Sequence, residues 1–213
     1  MALFNAETTK QLEDIFKGLK NQVNILLFTD ESNCDSCNDT TEFMTEVEGL
    51  STKILLQQFD VKKDEEKANL YGVVKAPTIV LLDEDKKDYG VVFSGIPAGH
   101  EINSFIAGLI EVSGAGEELP VEMKAKLETL SKPVKIKVFV TLSCPHCSGA
   151  VSKAHKLAYE NANIEAEMVE CGTFPELANQ YNVSGVPKIV FNDTEELVGN
   201  QPFEQFIEAV LKA

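Results

Sequence analysis

The chain has 213 residues, of which 44% are hydrophobic and 25% are charged, a composition typical of a folded globular protein. This length accommodates one large domain or two domains of about 100 residues each. The net charge is −15 and all 19 basic residues are lysines, so binding to nucleic acid or to an anionic membrane surface is not expected.

The amino-terminal segment 1–7 lacks the basic and apolar regions of a signal peptide, and no apolar run approaches the length of about 20 residues that spans a membrane. We therefore expect a cytoplasmic protein with no membrane association. In a reducing compartment, cysteines paired as CxxC are more often catalytic or metal-binding than structural.

Hydrophobic periodicity predicts the elements of the first half. Leu12, Ile15 and Leu19 recur on one helical face, and the uniformly apolar run 78–82 is typical of a strand buried on both sides. A polar run at 83–88 predicts a hairpin loop. In chain order we expect a helix at 7–20, a strand at 23–29, a helix after Cys37 that ends near Gly49, a strand at 53–60, a short helix at 64–71, strands at 78–82 and 89–94, and a helix at 101–112.

The second half repeats the first. The two CxxC motifs are offset by 144 − 34 = 110 residues, and Pro187 follows Pro77 at the same offset of 187 − 77 = 110. Glycines at 114 and 116 break the preceding helix, so we predict a first unit over 1–115 and a second over 116–213. The second unit is expected to contain a helix at 120–130, a strand at 134–142, a helix at 148–160, a strand at 164–170, a short helix at 175–181, a strand after Pro187 with a shorter hairpin, and a last helix around Phe206.

Each CxxC motif stands between a predicted strand and a predicted helix. A thiolate at a helix N-terminus is stabilised by the helix dipole and by free backbone N–H groups, which lowers the cysteine pKa. This placement favours redox chemistry. The alternative is a zinc site made by all four cysteines, although such sites usually separate their two pairs by about 15–20 residues.

The order β-α-β-α-β-β-α after a leading helix predicts an α/β fold, in which each unit has a central mixed β-sheet flanked by helices. With a CxxC after the first strand and a proline 77 − 34 = 43 residues later in both halves, the sequence resembles the thioredoxin superfamily. Two fused thioredoxin-like units with a CxxC in each are similar to the glutaredoxin-like protein disulfide oxidoreductases of archaea and bacteria.

The resemblance implies roles for individual residues. Cys34 and Cys144 would be the attacking cysteines, and Cys37 and Cys147 the resolving cysteines. Pro77 and Pro187 would be cis and pack against the disulfides, and the backbone of Ala76 and of Val186 would pair with a bound substrate chain. The sequence departs from thioredoxin at one position, because thioredoxin has a buried acid six residues before the first cysteine where this chain has Phe28 and Val138.

The two motifs differ in the residues between their cysteines. Pro145 suits the first position of a helix, and His146 can supply positive charge or a hydrogen bond to the Cys144 thiolate. Asp35 instead places a negative charge beside Cys34 and is expected to raise its pKa relative to that of Cys144. The second site is therefore predicted to dominate.

These observations predict a thiol–disulfide oxidoreductase that reduces, forms or exchanges protein disulfides without a bound cofactor or metal. The family resemblance implies a flavoenzyme of the thioredoxin reductase type, or a peroxiredoxin, as a redox partner in addition to protein disulfide substrates. The alternatives are a zinc-stabilised scaffold and an electron-relay module dedicated to a peroxide reductase.

Five further polar residues are of a type that can carry chemistry. Cys171 has no partner at redox spacing and is expected to be a small, semi-buried thiol. His100 and His155 have no flanking ligands and are expected at the surface or at helix ends. Asp60 and Glu170, at equivalent strand ends, are expected to be carboxylates that face loops, with tuning of nearby chemistry as the alternative.

Overall fold

We describe residues 3–213 from a computed structural model. Eight helices and eight strands alternate much as the sequence predicts, and the strands at 23–29, 78–82 and 164–170 are confirmed to the residue. In chain order the elements are α1 (Ala6–Phe16), β1 (Val23–Thr29), α2 (Cys37–Glu48), β2 (Ile54–Asp60), α3 (Glu65–Leu70), β3 (Thr78–Leu82), β4 (Asp88–Ser94), α4 (Ile102–Ile110), α5 (Val121–Leu127), β5 (Val134–Val140), α6 (Cys147–Glu160), β6 (Ile164–Glu170), α7 (Pro175–Gln180), β7 (Lys188–Phe191), β8 (Glu195–Val198) and α8 (Phe203–Lys212).

All eight strands belong to one continuous sheet, with the order β2-β1-β3-β4-β6-β5-β7-β8. Each half contributes four strands, and the halves join where β4 pairs with β6 in parallel, from Val91 opposite Ala166 to Ser94 opposite Val169. Strands β1 and β5, which precede the two CxxC motifs, run in the same direction. Both motifs therefore lie at the same end of the sheet, beyond the carboxyl ends of β1 and β5.

Helices cover the two faces of the sheet unequally. Alternate strand residues point to opposite faces, and in β3 Ile79 packs with the helices of one face while Val80 packs with those of the other. The first face carries α1, α2, α4, α5, α6 and α8. In the part of the chain that the structure describes, the second face carries only the short helices α3 and α7. Because both sides of β3 are covered, all five of its residues are buried, as its apolar run predicts.

The first half ends in an irregular segment that packs against α6 of the second half. A 3₁₀ turn over Gly99–Glu101 leads into α4, and a π turn over Glu111–Ala115 follows it and ends through Gly114, whose φ of 78° is left-handed. Lys156 of α6 forms an ion pair with Glu111 at 2.7 Å. Tyr159 of α6 stacks on Tyr89 of β4 with ring centroids 4.6 Å apart.

No helix among residues 3–213 is long and apolar enough to cross a membrane.

Candidate redox sites

The two CxxC motifs occupy equivalent strand-to-helix junctions. Cys34 follows β1 and Cys37 is the first residue of α2, while Cys144 follows β5 and Cys147 is the first residue of α6. Both pairs form disulfides, with Cα atoms 5.4 Å apart in the first site and 5.6 Å apart in the second. The helix N-terminus can stabilise a thiolate formed on reduction of either disulfide.

Within each pair, one cysteine is accessible and the other is buried. Cys34 and Cys144 are half-buried, whereas only 6% of Cys37 and 0% of Cys147 is exposed. A substrate can therefore approach the first cysteine of each motif but not the second. This arrangement is compatible with the attacking and resolving roles that the family resemblance implies.

Both prolines have the cis form that the family resemblance implies. The Ala76–Pro77 and Val186–Pro187 peptide bonds are both cis, and both prolines are buried. In the second site, Cys144 Sγ lies 3.9 Å from the Val186 carbonyl oxygen. The structure thus brings Val186 to the reactive sulfur.

The residues predicted to tune the thiols are all at the surface. Asp35, Pro145 and His146 are exposed. Asp35 lines an open groove with Cys34, and His146 directly precedes α6.

The two disulfides are far apart within the chain. Strands β3, β4 and β6 separate β1 from β5, so at about 4.8 Å per strand the sites are about 19 Å apart. The four cysteines consequently form no common zinc site, and residues 3–213 contain no group of three or more metal-ligating side chains. Direct thiol–disulfide exchange between the sites is also excluded in this arrangement, because the sulfur atoms must touch.

The carboxylates at the ends of β2 and β6 face loops as expected, and they are buried there. Asp60 accepts hydrogen bonds from the amides of Glu31, Lys62 and Lys63, and the bond from Glu31 is the main cause of its lowered pKa. Glu170 accepts from the amides of Gly172 and Thr173. These acids hold the loops beside the redox sites in place.

Sequence reasoning missed a buried acid next to the second site. Glu101 is 0% exposed, and its Oε2 accepts a hydrogen bond from Ser104 Oγ at 2.5 Å. Its Oε1 has no hydrogen-bond partner among residues 3–213. Its 3₁₀ turn contacts α6, and the amide of the neighbouring His100 donates to the Leu142 carbonyl at 2.9 Å. Burial raises the pKa of Glu101 to about 7. Glu101 lies in the first half, so the repeat provided no signal for it.

The expectation that His155 lies at the surface is wrong, whereas His100 is exposed as predicted. The imidazole of His155 is fully buried in α6, and its Nε2 lies 3.1 Å from the Val92 carbonyl oxygen of β4. Burial lowers the pKa of His155 to about 4. A neutral imidazole therefore links α6 to the first half.

Cys171 is a half-buried thiol, as expected. Burial, with a smaller contribution from the Glu170 charge, raises its pKa to about 11. A thiol with so high a pKa is a poor nucleophile near neutral pH. It takes no part in either disulfide.

Comparison with known proteins agrees with this geometry. Residues 134–212 match the model of a thioredoxin domain family. The F subunit of the alkyl hydroperoxide reductase of Staphylococcus aureus (strain MRSA252) is 23% identical over 193 residues, which are 91% of this chain but 35% of that protein. The chain thus spans about a third of the length of the curated relatives it matches.

Two solved structures superpose on nearly the whole chain. One is a mutant of the alkylhydroperoxide reductase F subunit of Enterococcus faecalis (V583), with a TM-score of 0.92 and 33% identity over 98% of this chain and 100% of that one. The other is a protein disulfide oxidoreductase from Aeropyrum pernix K1, with a TM-score of 0.91 and 28% identity over 99% of this chain and 94% of that one.

Proposed function

We propose that this chain exchanges electrons with protein disulfides mainly through Cys144 and Cys147. The premise is that the chain belongs to the thioredoxin superfamily and is a disulfide oxidoreductase with two CxxC sites. The observation that carries this proposal is the pairing, at the start of α6, of a half-buried Cys144 with a fully buried Cys147. It leaves one sulfur open to a substrate and protects the other.

In the reducing direction, the Cys144 thiolate attacks one sulfur of a substrate disulfide. A mixed disulfide forms, and the second substrate sulfur leaves as a thiolate that takes up a proton. Cys147 then loses its proton and attacks Cys144 Sγ, which releases the first substrate sulfur and leaves the Cys144–Cys147 disulfide. Two electrons pass from the protein to the substrate, and the reverse sequence forms a substrate disulfide.

Glu101 is suited to receive the proton of Cys147. Its carboxyl group is buried on the turn that packs against α6, and α6 begins at Cys147. With a pKa raised to about 7, it can accept or donate a proton near neutral pH. The side chain of Val138, which stands where thioredoxin has a buried acid, cannot exchange a proton.

Substrate binding is proposed to use the backbone beside each proline. Val186 and Ala76 are half-buried next to the buried Pro187 and Pro77, so their peptide groups can pair with an extended substrate segment. Pro145 and His146 are proposed to favour the Cys144 thiolate, and Asp35 to disfavour the Cys34 thiolate.

A second candidate function is the relay of electrons within a peroxide reductase system. It is favoured by the similarity to the F subunit of alkyl hydroperoxide reductases over 91% of this chain. In that role a flavoenzyme would reduce one of the CxxC sites and a peroxiredoxin would accept the electrons. The separation of the two sites means that a partner, and not direct contact, would have to connect them. We also propose that the boundary between the two thioredoxin-like units lies near residue 115 and that the protein is cytoplasmic.

Insulin reduction with dithiothreitol tests the main proposal. We expect Cys144→Ser to lose most of the activity, Cys34→Ser to retain most of it, and the double variant to be inactive. Full activity of the double variant would contradict an enzymatic role for the CxxC sites. To test the relay, a purified peroxiredoxin would replace insulin as the electron acceptor, with the same three variants.

A further inference from the structure

The first redox site opens into a groove that both halves of the chain build. The groove has a volume of about 870 Å³, which falls in the range of about 300–1,000 Å³ that is usual for ligand sites. One wall consists of residues around Cys34 together with Val74, Lys75 and Ala76, and the other consists of the β6–α7 loop and the start of α7. Cys34 therefore shares its groove with a surface of the opposite half.

Contacts across the sheet hold the two walls together. Lys75, directly before Ala76, forms an ion pair with Glu167 of β6. The same Nζ lies 5.7 Å from the centroid of the Phe174 ring in the opposite wall. Thus the segment that carries Ala76 and the segment that carries Phe174 have a defined spacing.

The second site has no equivalent wall from the described part of this chain. The pairing of β4 with β6 brings the second half beside the first site, whereas β8 is the edge strand beyond the second site. The position equivalent to Val74 is Ser184, from 74 + 110 = 184. Val74 is 83% exposed, so the first site carries an exposed apolar side chain at a position where the second site has a serine.

The groove is acidic. Lys62 pairs with Asp30 at 2.9 Å, and Lys75 is paired with Glu167. Asp35 and Glu176 have no ion-pair partner within residues 3–213 and are both exposed. The two charges that remain free in the groove are therefore negative.

The backbone of Ala76 is free to pair with an incoming chain. Within the described part of the protein, neither its N–H nor its C=O has a hydrogen-bond partner. An extended segment can add to such a backbone as a short strand, while its side chains contact the walls.

We propose that the groove at Cys34 selects disulfides in extended polypeptide segments that carry basic and apolar side chains next to the cysteine. Glu176 and Asp35 attract the basic groups, and Val74 with Phe174 contacts the apolar ones. This inference rests on the proposed function, since it requires Cys34 to be redox-active. The reduced Cys34–Cys37 pair supplies the two electrons, the peptide disulfide is cleaved to two thiols, and the Cys34–Cys37 disulfide forms.

The test uses the full chain with Cys144→Ser and Cys147→Ser, reduced beforehand and freed of reductant, so that only the first site donates electrons. Two peptides with one internal disulfide each, identical except for lysine or glutamate beside the cysteine, are mixed with it and the release of peptide thiols is followed. We expect the lysine peptide to react about two- to fivefold faster, the range of a solvent-exposed ion pair.

Matched variants identify the groove as the cause. Glu176→Lys should abolish or reverse the preference, whereas Glu122→Lys, the same charge change on α5, should keep it. Val74→Ser should slow both peptides, whereas Val121→Ser should not, although Val121 is 84% exposed and Val74 is 83% exposed.

The neutral reagent 4,4′-dithiodipyridine separates the two possible failures. A Cys34 that reacts with neither this reagent nor the peptides would overturn the proposed activity of the first site, and the groove inference with it. A Cys34 that reacts with the reagent but shows no preference between the peptides would overturn the groove inference alone. Equal responses to Glu176→Lys and Glu122→Lys would do the same.

Discussion

The two redox sites share a sequence pattern but occupy different positions in the fold. Helix α2, which carries the first site, packs mainly on β1 and β2, whereas α6, which carries the second, contacts α4, α8 and the strands of both halves. The helix of the second site therefore has neighbours from both halves, whereas the helix of the first site packs mainly on strands of its own half. Duplicated motifs can acquire different chemistry because the fold surrounds each copy with different neighbours.

The buried polar groups illustrate this difference. His155 of α6 is buried against β4, while Thr45, its equivalent in α2 from 155 − 110 = 45, is exposed. Glu101, from the first half, packs beside the second site. Both side chains are buried because the two halves pack together. Variants at these positions therefore test whether the second site depends on the contact between the halves.

The largest expected effect concerns Glu101→Gln. Burial raises the pKa of Glu101 from 4.5 to about 7, so ionising it in the folded protein costs about 3 kcal/mol. Its contribution to stability is present below pH 4.5 and is lost as the pH rises to about 7. Compared with the variant, the wild-type protein should therefore lose about 3 kcal/mol of unfolding free energy between pH 4.5 and about 7.

Urea unfolding at a series of pH values measures this difference. Glu122→Gln, at an exposed position, serves as the control. The pH dependence of Cys144 alkylation should also change in Glu101→Gln, while that of Cys34 should not. Parallel stability curves for wild type and Glu101→Gln would show that the carboxyl group is not buried as described.

A similar effect with the opposite sign is expected for His155→Gln. Burial lowers the pKa of His155 from 6.5 to about 4. Between these pH values the unfolded chain binds a proton at this imidazole and the folded protein does not. The stability that depends on neutral His155 is present above pH 6.5 and is lost as the pH falls to about 4, by about 3 kcal/mol. The variant should lack this loss in acid unfolding. His100→Gln, at an exposed imidazole, should follow the wild type; if His155→Gln also did so, the buried contact with Val92 would be refuted.

A smaller effect separates two left-handed glycines. Gly99 has a φ of 58° and an added Cβ would collide with the Leu142 carbonyl oxygen, whereas Gly72, with a φ of 63°, has nothing within 4 Å of that position. Gly72→Ala should cost about 1 kcal/mol for its backbone conformation, and Gly99→Ala about 2 kcal/mol more for the collision. Chemical denaturation gives both values. Only Gly99→Ala should also slow alkylation of Cys144. Equal losses of stability in the two variants would mean that the turn at Gly99 does not pack closely against the Leu142 backbone of the second site.

The smallest expected effect is the difference between the two attacking thiols. We expect the pKa of Cys144 to lie at least about one unit below that of Cys34, which is about 1.4 kcal/mol. Alkylation rates against pH in reduced Cys34→Ser and Cys144→Ser proteins measure it.

Exchange of the intervening residues sharpens this last comparison. Asp35→Pro with Ser36→His gives the first site the sequence of the second, and should lower the pKa of Cys34. Any remaining difference would belong to the surroundings of the two helices. Equal thiol pKa values in the wild-type protein would remove the predicted asymmetry altogether.

The sequence by itself determined the elements and their order. Apolar periodicity located β1, β3 and β6 to the residue, and the 110-residue offset showed that two similar units follow one another. It also identified the four redox cysteines and the two prolines. These features are encoded by neighbouring residues or by motifs whose spacing is preserved, so they can be recognised without knowing which distant residues meet.

Only the tertiary structure decided how the units join and how the two sites differ. The pairing of β4 with β6, the burial of Glu101 and His155, and the groove that places Glu176 near Cys34 all involve residues distant in the chain. No local pattern signals such contacts: His155 has no flanking ligands, so the sequence predicts it at the surface or at a helix end, and nothing in the sequence around Glu101 marks it as buried. Glu101 is buried on a turn of the first half that contacts α6, and His155 of α6 is buried against β4, so the burial of both groups depends on the packing of the two halves.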